Sequence, residues 1–127
     1  MAELNVLVVD DEPAVRQVLS AAIGKAGYPV ETAASAGEAL AKLGQGSFDV
    51  VLSDVFMPVT DGIELLKQAR AQGHSATFIM VTAFASVDSA IDAIKAGAWD
   101  YITKPVRNEE ILHRLEQLDA MRGLREE

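Results

Sequence analysis

One alternation of sequence types is repeated five times along the chain. Each repeat has a short apolar run rich in β-branched residues, followed by a segment with apolar residues at helical spacing. The first run, Val6-Leu7-Val8-Val9, is apolar at every position, which is typical of a strand buried on both faces. Strands that alternate with helices predict a parallel sheet covered by helices on both sides. The predicted strands are residues 6–9, 29–33, 49–53, 77–81 and 99–103.

Helix boundary signals separate these runs. Pro13 suits the first turn of a helix, and Ser35 with Glu38 three residues later has the form of a capping box. The other predicted helix starts are Asp61, Ser86 and Asn108, and the predicted ends are Gly27, Gly73 and Gly97. The fourth helix carries Val87, Ala90, Ile91 and Ile94 on one side, and the fifth has Ile111, Leu112, Leu115 and Leu118 as its inner face.

Five strand–helix units joined by right-handed crossovers allow few topologies. We expect an α/β fold, a flavodoxin-like (βα)5 three-layer sandwich whose parallel five-stranded sheet has the order 2-1-3-4-5. Periodicity alone does not fix that order.

Length and charge narrow the class of protein. The 127 residues suit one compact domain, predicted at 1–121, with 122–127 as a tail or the start of a linker. The net charge of -8 argues against nucleic-acid binding through the general field of the domain. The chain has no cysteine, no run near the roughly 20 apolar residues of a membrane helix, and no basic segment at Met1 typical of a signal peptide. We therefore expect a soluble protein of the cytoplasm.

Reactive side chains follow four of the predicted strands. Asp10 and Asp11 follow the first strand, Asp54 the third, Thr82 the fourth and Lys104 the fifth. Because sites in open parallel sheets form at the carboxyl ends of the strands, we expect these side chains to meet at one rim.

The chemistry of this rim points to phosphoryl transfer with a metal ion. Clustered carboxylates repel each other unless a cation joins them, and Mg²⁺ binds one or two carboxylates together with phosphate oxygens. A central carboxylate can attack phosphorus, while Lys104 and Thr82 neutralise and bind the transferred group. Each residue also has a plainer interpretation: Asp10 and Asp11 as helix caps, Asp54 as a loop residue, Thr82 as a strand-end hydroxyl and Lys104 as a surface lysine. The agreement of four strand ends favours the site.

With these residues in place, the sequence resembles the receiver domains of two-component response regulators, from about Leu4 to Leu118. The shared motifs are Val8-Val9-Asp10-Asp11-Glu12, Asp54 with Met57-Pro58, Asp61-Gly62, Thr82-Ala83 and Tyr101-Ile102-Thr103-Lys104-Pro105. The stretch from Thr82 to Tyr101 is most similar to receivers of transcriptional activators with a central ATPase domain.

The resemblance implies a role for each matching residue. Asp54 would be the phosphoacceptor, and Asp11 would bind Mg²⁺ directly while Asp10 acts largely through water. The backbone carbonyl of Phe56 would be a further ligand. Lys104 would pair with the phosphoryl group, and the Lys104–Pro105 bond would be cis.

The resemblance also implies a switch. Thr82 would turn toward the phosphoryl group, and Tyr101 would rotate into the space left behind, although alternation alone also allows Tyr101 to be a core residue. The partners would be a sensor histidine kinase or phosphotransfer protein, and an output domain or effector. The fourth helix, fifth strand and fifth helix would meet that output or form a homodimer.

Two positions depart from the pattern of many receivers, which have polar side chains two residues beyond the phosphoacceptor or the switch threonine. Here these positions hold Phe56 and Phe84. One hypothesis is that the rings shield the phosphoryl group and slow its hydrolysis. The alternative is that they only face a partner.

Two other functions use a similar fold or nucleophile. A phosphohydrolase of the haloacid dehalogenase type also has a strand-end aspartate and magnesium, but it typically has an acidic residue where this chain has Phe56. A flavin carrier needs a Ser-, Thr- and Gly-rich phosphate loop after the first strand, where Asp10-Asp11-Glu12 would repel a phosphate. Both are weaker interpretations than a receiver, which is a signalling module and not an enzyme.

Overall fold

The computed structural model describes residues 4–126, with side chains through Arg122. Five strands alternate with five helices. The strands are β1 Val6–Val9, β2 Val30–Ala33, β3 Val50–Ser53, β4 Thr77–Thr82 and β5 Asp100–Thr103. The helices are α1 Pro13–Lys25, α2 Ala36–Gln45, α3 Gly62–Ala71, α4 Val87–Ala96 and α5 Asn108–Glu126. The sheet is parallel with the order β2-β1-β3-β4-β5, which confirms the predicted topology.

Two hydrophobic cores cover the two faces of the sheet, because successive strand side chains point to opposite sides. One core joins the sheet to α2, α3 and α4, and its strand residues include Leu7, Val9, Val51, Phe78 and Met80. The other joins the sheet to α1 and α5, and its strand residues are Val6, Val8, Val50, Leu52, Ile79, Val81 and Ile102. The chain therefore forms the three-layer sandwich that the alternation predicted.

Most helix boundaries follow the sequence signals. The Ser35, Asp61 and Ser86 side chains each accept a hydrogen bond from the backbone N–H three residues later. The prediction that Asn108 caps the last helix was wrong: Asn108 is the first residue of α5, and the preceding Arg107 carbonyl accepts from the Glu110 N–H.

Helices α4 and α5 differ in how they use their apolar side chains. The inner face of α5 is confirmed, since Ile111, Leu115 and Leu118 are buried. In α4 only Ala93 is buried, and the apolar side predicted for this helix is largely exposed through Val87, Ile91 and Ile94.

The carboxyl-terminal division at residue 121 remains a prediction. Helix α5 continues without a break to Glu126, while Met1 to Glu3 and Glu127 lie outside the described residues. None of the helices within residues 4–126 is long and apolar enough to cross a membrane.

Candidate functional site

The strand order places two aspartates on either side of the topological switch point of the sheet. Chain connections leave β1 and β3 in opposite directions, and ligands of such folds bind in the crevice at that point. Asp10 follows β1 and Asp54 follows β3, and their residues are only 3% and 7% exposed. The sheet ladder extends to both, because the Asp10 N–H donates to the Ala33 carbonyl at 3.1 Å and the Asp54 N–H to the Val9 carbonyl at 3.0 Å.

Lys104 joins the two aspartates. Its ammonium Nζ lies 2.9 Å from Asp10 Oδ2 and 2.9 Å from Asp54 Oδ2. The Lys104 N–H also donates to the Thr82 carbonyl at 2.8 Å, which fixes the lysine at the end of the β4–β5 pair. Burial acts to lower the pKa of Lys104, but the hydrogen bonds and negative charges of Asp10 and Asp54 outweigh it, so the net pKa lies above its ordinary value. The lysine is therefore held as a cation.

Backbone amides orient the second oxygen of each carboxylate. The Phe56 N–H donates to Asp54 Oδ1 at 3.1 Å, and the Glu12 N–H donates to Asp10 Oδ1 at 2.9 Å. Each carboxylate thus has one oxygen on a loop amide and the other on Lys104. A nucleophile fixed in this way needs little reorganisation to attack, which is how enzyme-like sites lower barriers.

Gly62 lets helix α3 approach the backbone of Asp54. A Cβ at residue 62 would lie 2.1 Å from the Asp54 carbonyl oxygen and 2.9 Å from Ser53 Oγ. The Gly62 N–H donates to the Val55 carbonyl at 2.7 Å, and the buried Ser53 hydroxyl donates to the Asp54 carbonyl at 2.9 Å. The Asp61-Gly62 motif therefore combines a helix cap with the only residue type that fits beside Asp54.

Three carboxylates come close enough to share a metal ion. Asp10, Glu12 and Asp54 each offer an oxygen within 4.8 Å of the others. Oxygen donors of this kind suit Mg²⁺, so the residues present fit the ion that the sequence predicted. Glu12 was not predicted as a ligand, although it ends the acidic run after β1. Asp11 is exposed and lies outside this cluster. It lines a groove together with the loop before α2.

Within the described residues, the hydrogen bonds of the Thr82 and Tyr101 side chains go to the loop before α4 and to α4, and not to the acidic cluster. Thr82 is buried, and its Oγ1 accepts from the Phe84 N–H at 3.2 Å. Tyr101 is half-buried, and its hydroxyl lies 2.5 Å from Ser89 Oγ on α4. The Thr82 side chain is thus hydrogen-bonded to the loop that precedes α4, and the Tyr101 side chain to the first turn of α4.

The two phenylalanines form an aromatic pair across two loops. The rings of Phe56 and Phe84 meet edge to face, with centroids 6.3 Å apart and planes at 79°. They are 47% and 74% exposed, so the pair lies at the surface. In the same loop as Phe56, Val59 has a φ of 70° and is fully exposed. A β-branched residue strongly disfavours this left-handed backbone conformation.

An apolar groove adjoins the site on the side of α1. It has a volume of about 450 Å³ and runs between the first half of α1 and the loop after β5. Its walls include Val15, Val18, Pro105 and Val106, and Lys104 lies at its edge. The Lys104–Pro105 peptide bond in this loop is cis, as the resemblance implied. The histidines lie elsewhere, with His74 half-buried beyond α3 and His113 exposed on α5.

The doubly wound sheet and its acidic, lysine-bridged crevice have the arrangement that the sequence predicted for a phosphoryl-accepting signalling domain. Comparison with protein families gives the same answer in finer detail. Residues 6–116 match the response regulator receiver domain, and the chain belongs to that family. This family match gives no support to the interpretation as a haloacid dehalogenase or to the interpretation as a flavin carrier.

Relatives of known sequence are response regulators of different lengths. The chain is 39% identical over 115 residues to the transcriptional regulatory protein ZraR of Salmonella typhimurium, covering 91% of this chain and 26% of that protein. It is 38% identical over 126 residues to the regulatory protein AtoC of Escherichia coli, covering 96% of this chain and 27% of AtoC. The chain thus spans about a quarter of the length of these relatives.

Solved structures share the whole fold. A CheY-like receiver domain protein from Methanospirillum hungatei matches with a TM-score of 0.89 at 36% identity, over 96% of this chain and 98% of the other. Chemotaxis protein CheY4 of Vibrio cholerae matches with a TM-score of 0.87 at 39% identity, over 92% and 99% of the two chains. These solved receivers are almost the same size as this chain.

Proposed function

We propose that Asp54 accepts a phosphoryl group from a sensor histidine kinase or phosphotransfer protein and that the domain changes its surface in response. The observation that carries this proposal is the Asp54 carboxylate, held between the Lys104 ammonium and the Phe56 N–H at the switch point of the sheet. Asp54 is buried, with 7% of its surface exposed, and it directly follows the carboxyl end of β3.

The transfer uses the groups already around Asp54. A carboxylate oxygen forms a bond to phosphorus as the P–N bond of a phosphohistidine, or the P–O bond of an acyl phosphate, breaks. Lys104 exchanges its contact with Asp54 for one with a phosphoryl oxygen and so neutralises the charge of the product. Mg²⁺ would supply further charge neutralisation between the carboxylates and the phosphoryl oxygens.

The carboxylates that would hold the ion are Asp10 and Asp54, with Glu12 or Asp11 and the Phe56 carbonyl completing the set. The clustering of Glu12 with Asp10 and Asp54 supports Glu12, while the resemblance supports Asp11. Measuring Mg²⁺ affinity in Glu12→Gln and Asp11→Asn separates the two assignments. The variant that removes the true ligand loses affinity, and the other retains it.

The phosphodonor is proposed to dock in the apolar groove beside α1. A donor must bring its phosphoryl group to Asp54, so its contact surface has to adjoin the acidic rim. The groove lined by Val15, Val18 and Pro105 meets this condition because Lys104 borders both the groove and the rim. Val18 is exposed on α1 and offers apolar area for such a contact.

The responding surface is proposed to comprise α4, β5 and α5, which contacts an output domain or effector or forms a homodimer. The exposed Val87, Ile91 and Ile94 of α4 provide the apolar area for that contact. Since ZraR and AtoC are nearly four times as long as their matched regions, an attached output domain, such as one of a transcriptional activator with a central ATPase, fits this proposal. With a net charge of -8, this domain leaves nucleic-acid binding to that partner.

The proposed setting is the cytoplasm, where ATP-dependent kinases supply the phosphoryl group. The only reactions expected of the domain itself are its own phosphorylation by a donor and slow loss of the phosphoryl group.

Phosphorylation by a small acyl phosphate tests the proposal. The protein is incubated with acetyl phosphate and Mg²⁺, and the intact mass is measured. We expect one phosphoryl adduct in the wild type and none in Asp54→Asn. Asp49→Asn is a matched control, because Asp49 is an aspartate at the opposite end of β3 that bonds the Asn5 N–H. An unmodified wild type, or an equal adduct in Asp54→Asn, would refute the proposal.

A further inference from the structure

The hydroxyl of Tyr101 is bound to the residue that builds the first turn of α4. Tyr101 Oη lies 2.5 Å from Ser89 Oγ, although the two residues are on different elements, β5 and α4. Ser89 forms a capping box with Ser86: the Ser86 side chain accepts from the Ser89 N–H at 3.0 Å, and the Ser89 hydroxyl accepts from the Ser86 N–H at 3.3 Å. Tyr101 of β5 is therefore hydrogen-bonded to the capping box of the preceding helix, α4.

The hydrogen-bond capacity of Ser89 is fully used in this arrangement. A serine hydroxyl donates one hydrogen bond and accepts two. Besides Tyr101, Ser89 Oγ has three partners on Ser86: the N–H at 3.3 Å, the hydroxyl at 3.0 Å and the carbonyl oxygen at 3.3 Å. If Tyr101 turns away, Ser89 loses one of four partners at the start of α4. The position of the Tyr101 ring and the order of that first turn are thus linked.

The loop between β4 and α4 connects this capping box to Thr82, at the end of β4 beside the acidic site. The Thr82 hydroxyl is bound to the Phe84 N–H, two residues before the Ser86 cap. Thr82 and Thr103 are paired in register, and Tyr101 lies two residues before Thr103 on β5. A movement of Thr82 toward Asp54 therefore releases the loop that leads into the Ser86–Ser89 box.

We propose that Ser89 is a latch that holds Tyr101 in its resting position and sets how readily the unphosphorylated domain switches. This inference rests on the proposed function and adds a residue that controls it. A ligand shifts a two-state equilibrium according to its preference for one state, so weakening the resting state raises apparent affinity for a ligand of the switched state. One hydrogen bond of ordinary net strength changes the equilibrium by roughly two- to tenfold.

Removing the latch from either side tests the proposal. Ser89→Ala and Tyr101→Phe each delete one hydroxyl of the pair, and the latter leaves the capping box intact. With beryllofluoride and Mg²⁺ as the phosphoryl probe, we expect each variant to bind roughly two- to tenfold more tightly than the wild type. The double variant should gain little more than either single variant, because the same contact is lost in all three.

A spectroscopic signal separates the latch from a loss of helix capping. The chain has two tyrosines, Tyr28 and Tyr101, so ring labelling gives two resonances. In unphosphorylated Ser89→Ala the Tyr101 resonance should move toward its position in the beryllofluoride-bound wild type, while Tyr28 stays in place. Ser86→Ala is the control, since it removes the cap side chain and keeps both hydroxyls of the latch.

The outcomes distinguish the latch from the function on which it rests. If the wild type binds beryllofluoride and Ser89→Ala shows neither tighter binding nor a Tyr101 shift, the latch is wrong and the proposed function stands. Equal Tyr101 shifts in Ser86→Ala and Ser89→Ala would also overturn the latch, because helix capping alone would then explain them. If the wild type binds no beryllofluoride and takes no phosphate, the proposed function itself fails.

Discussion

Loss of the Phe56–Phe84 pair is expected to shorten the life of the phosphoryl group on Asp54. The two rings meet edge to face, and they belong to the loops that follow Asp54 and Thr82. Water has to reach phosphorus for hydrolysis, and a closed aromatic pair at the rim restricts that access. The variants Phe56→Asn and Phe84→Glu replace a ring by a polar side chain and abolish the pair.

The size of the effect follows from the strength of the ring contact. An edge-to-face aromatic pair contributes about 0.5–1.5 kcal/mol beyond its buried area. If hydrolysis occurs only when the pair is open, losing this energy raises the open fraction, and hence the hydrolysis rate, by roughly two- to tenfold. Both rings are already substantially exposed, at 47% and 74%, so the lower half of that range is expected for either single variant.

The assay follows decay of the phosphorylated protein after the donor is removed. The domain is loaded with acetyl phosphate, desalted, and sampled by intact mass over time with Mg²⁺ present. Val87→Asn is the matched control, since Val87 is an exposed apolar residue of α4 that lies outside the aromatic pair. Unchanged lifetimes in both phenylalanine variants, or the same change in the control, would refute shielding and leave the rings as partner-facing residues.

Three further outcomes test the supports of the site. Gly62→Ala should lower the free energy of unfolding by about 1–3 kcal/mol and abolish phosphorylation, because the added Cβ would collide with the Asp54 carbonyl. Gly44→Ala is the control, since a Cβ at that position has no atom within 4 Å, and it should be neutral or stabilising in urea unfolding. Val59→Asn should raise stability by about 1 kcal/mol and the Tm by about 4 °C in calorimetry, since Val59 has a φ of 70° and asparagine tolerates that conformation; an unchanged Tm would contradict the strain. Because the pKa of Lys104 is raised, its ion pairs stabilise the fold fully below its ordinary pKa of 10.5, and this contribution is lost as pH rises through the raised pKa. Lys104→Met should therefore lose less stability than the wild type as the pH rises above 10.5 through the raised pKa of Lys104, and equal losses would exclude this role.

The sheet could be predicted from the sequence because its strands are short, apolar and buried on both faces. Val6–Val9 is apolar at every position, and all four side chains are buried in the structure. The carboxyl ends of parallel strands share one edge, so strand assignment alone brought Asp10, Asp54 and Lys104 to one rim. Their actual contacts, 2.9 Å from Lys104 Nζ to each carboxylate, are closer than that argument required.

Other features depend on directions that a sequence pattern does not give. Helical spacing put Val87, Ile91 and Ile94 on one side of α4, but it could not say that this side is exposed. Of the three carboxylates in the acidic run after β1, Asp10 and Asp11 were predicted as ligands, but the path of the loop brings Glu12 rather than Asp11 beside Asp54. These details are set by how a loop or helix packs on the sheet, which local patterns do not encode.

Two hydrogen bonds from backbone amides connect the Phe56–Phe84 pair to Asp54 and Thr82. The Phe56 N–H is bound to the Asp54 carboxylate, and the Phe84 N–H is bound to the Thr82 hydroxyl. If Thr82 turns toward a phosphoryl group, the Phe84 N–H loses its acceptor and the Phe84 loop is free to shift relative to Phe56. Since Phe84 and Ser86 belong to the same short loop, the aromatic pair and the Ser89–Tyr101 contact respond to the same movement. A more complete switch is therefore expected to open the aromatic pair and to shorten the lifetime of the phosphoryl group.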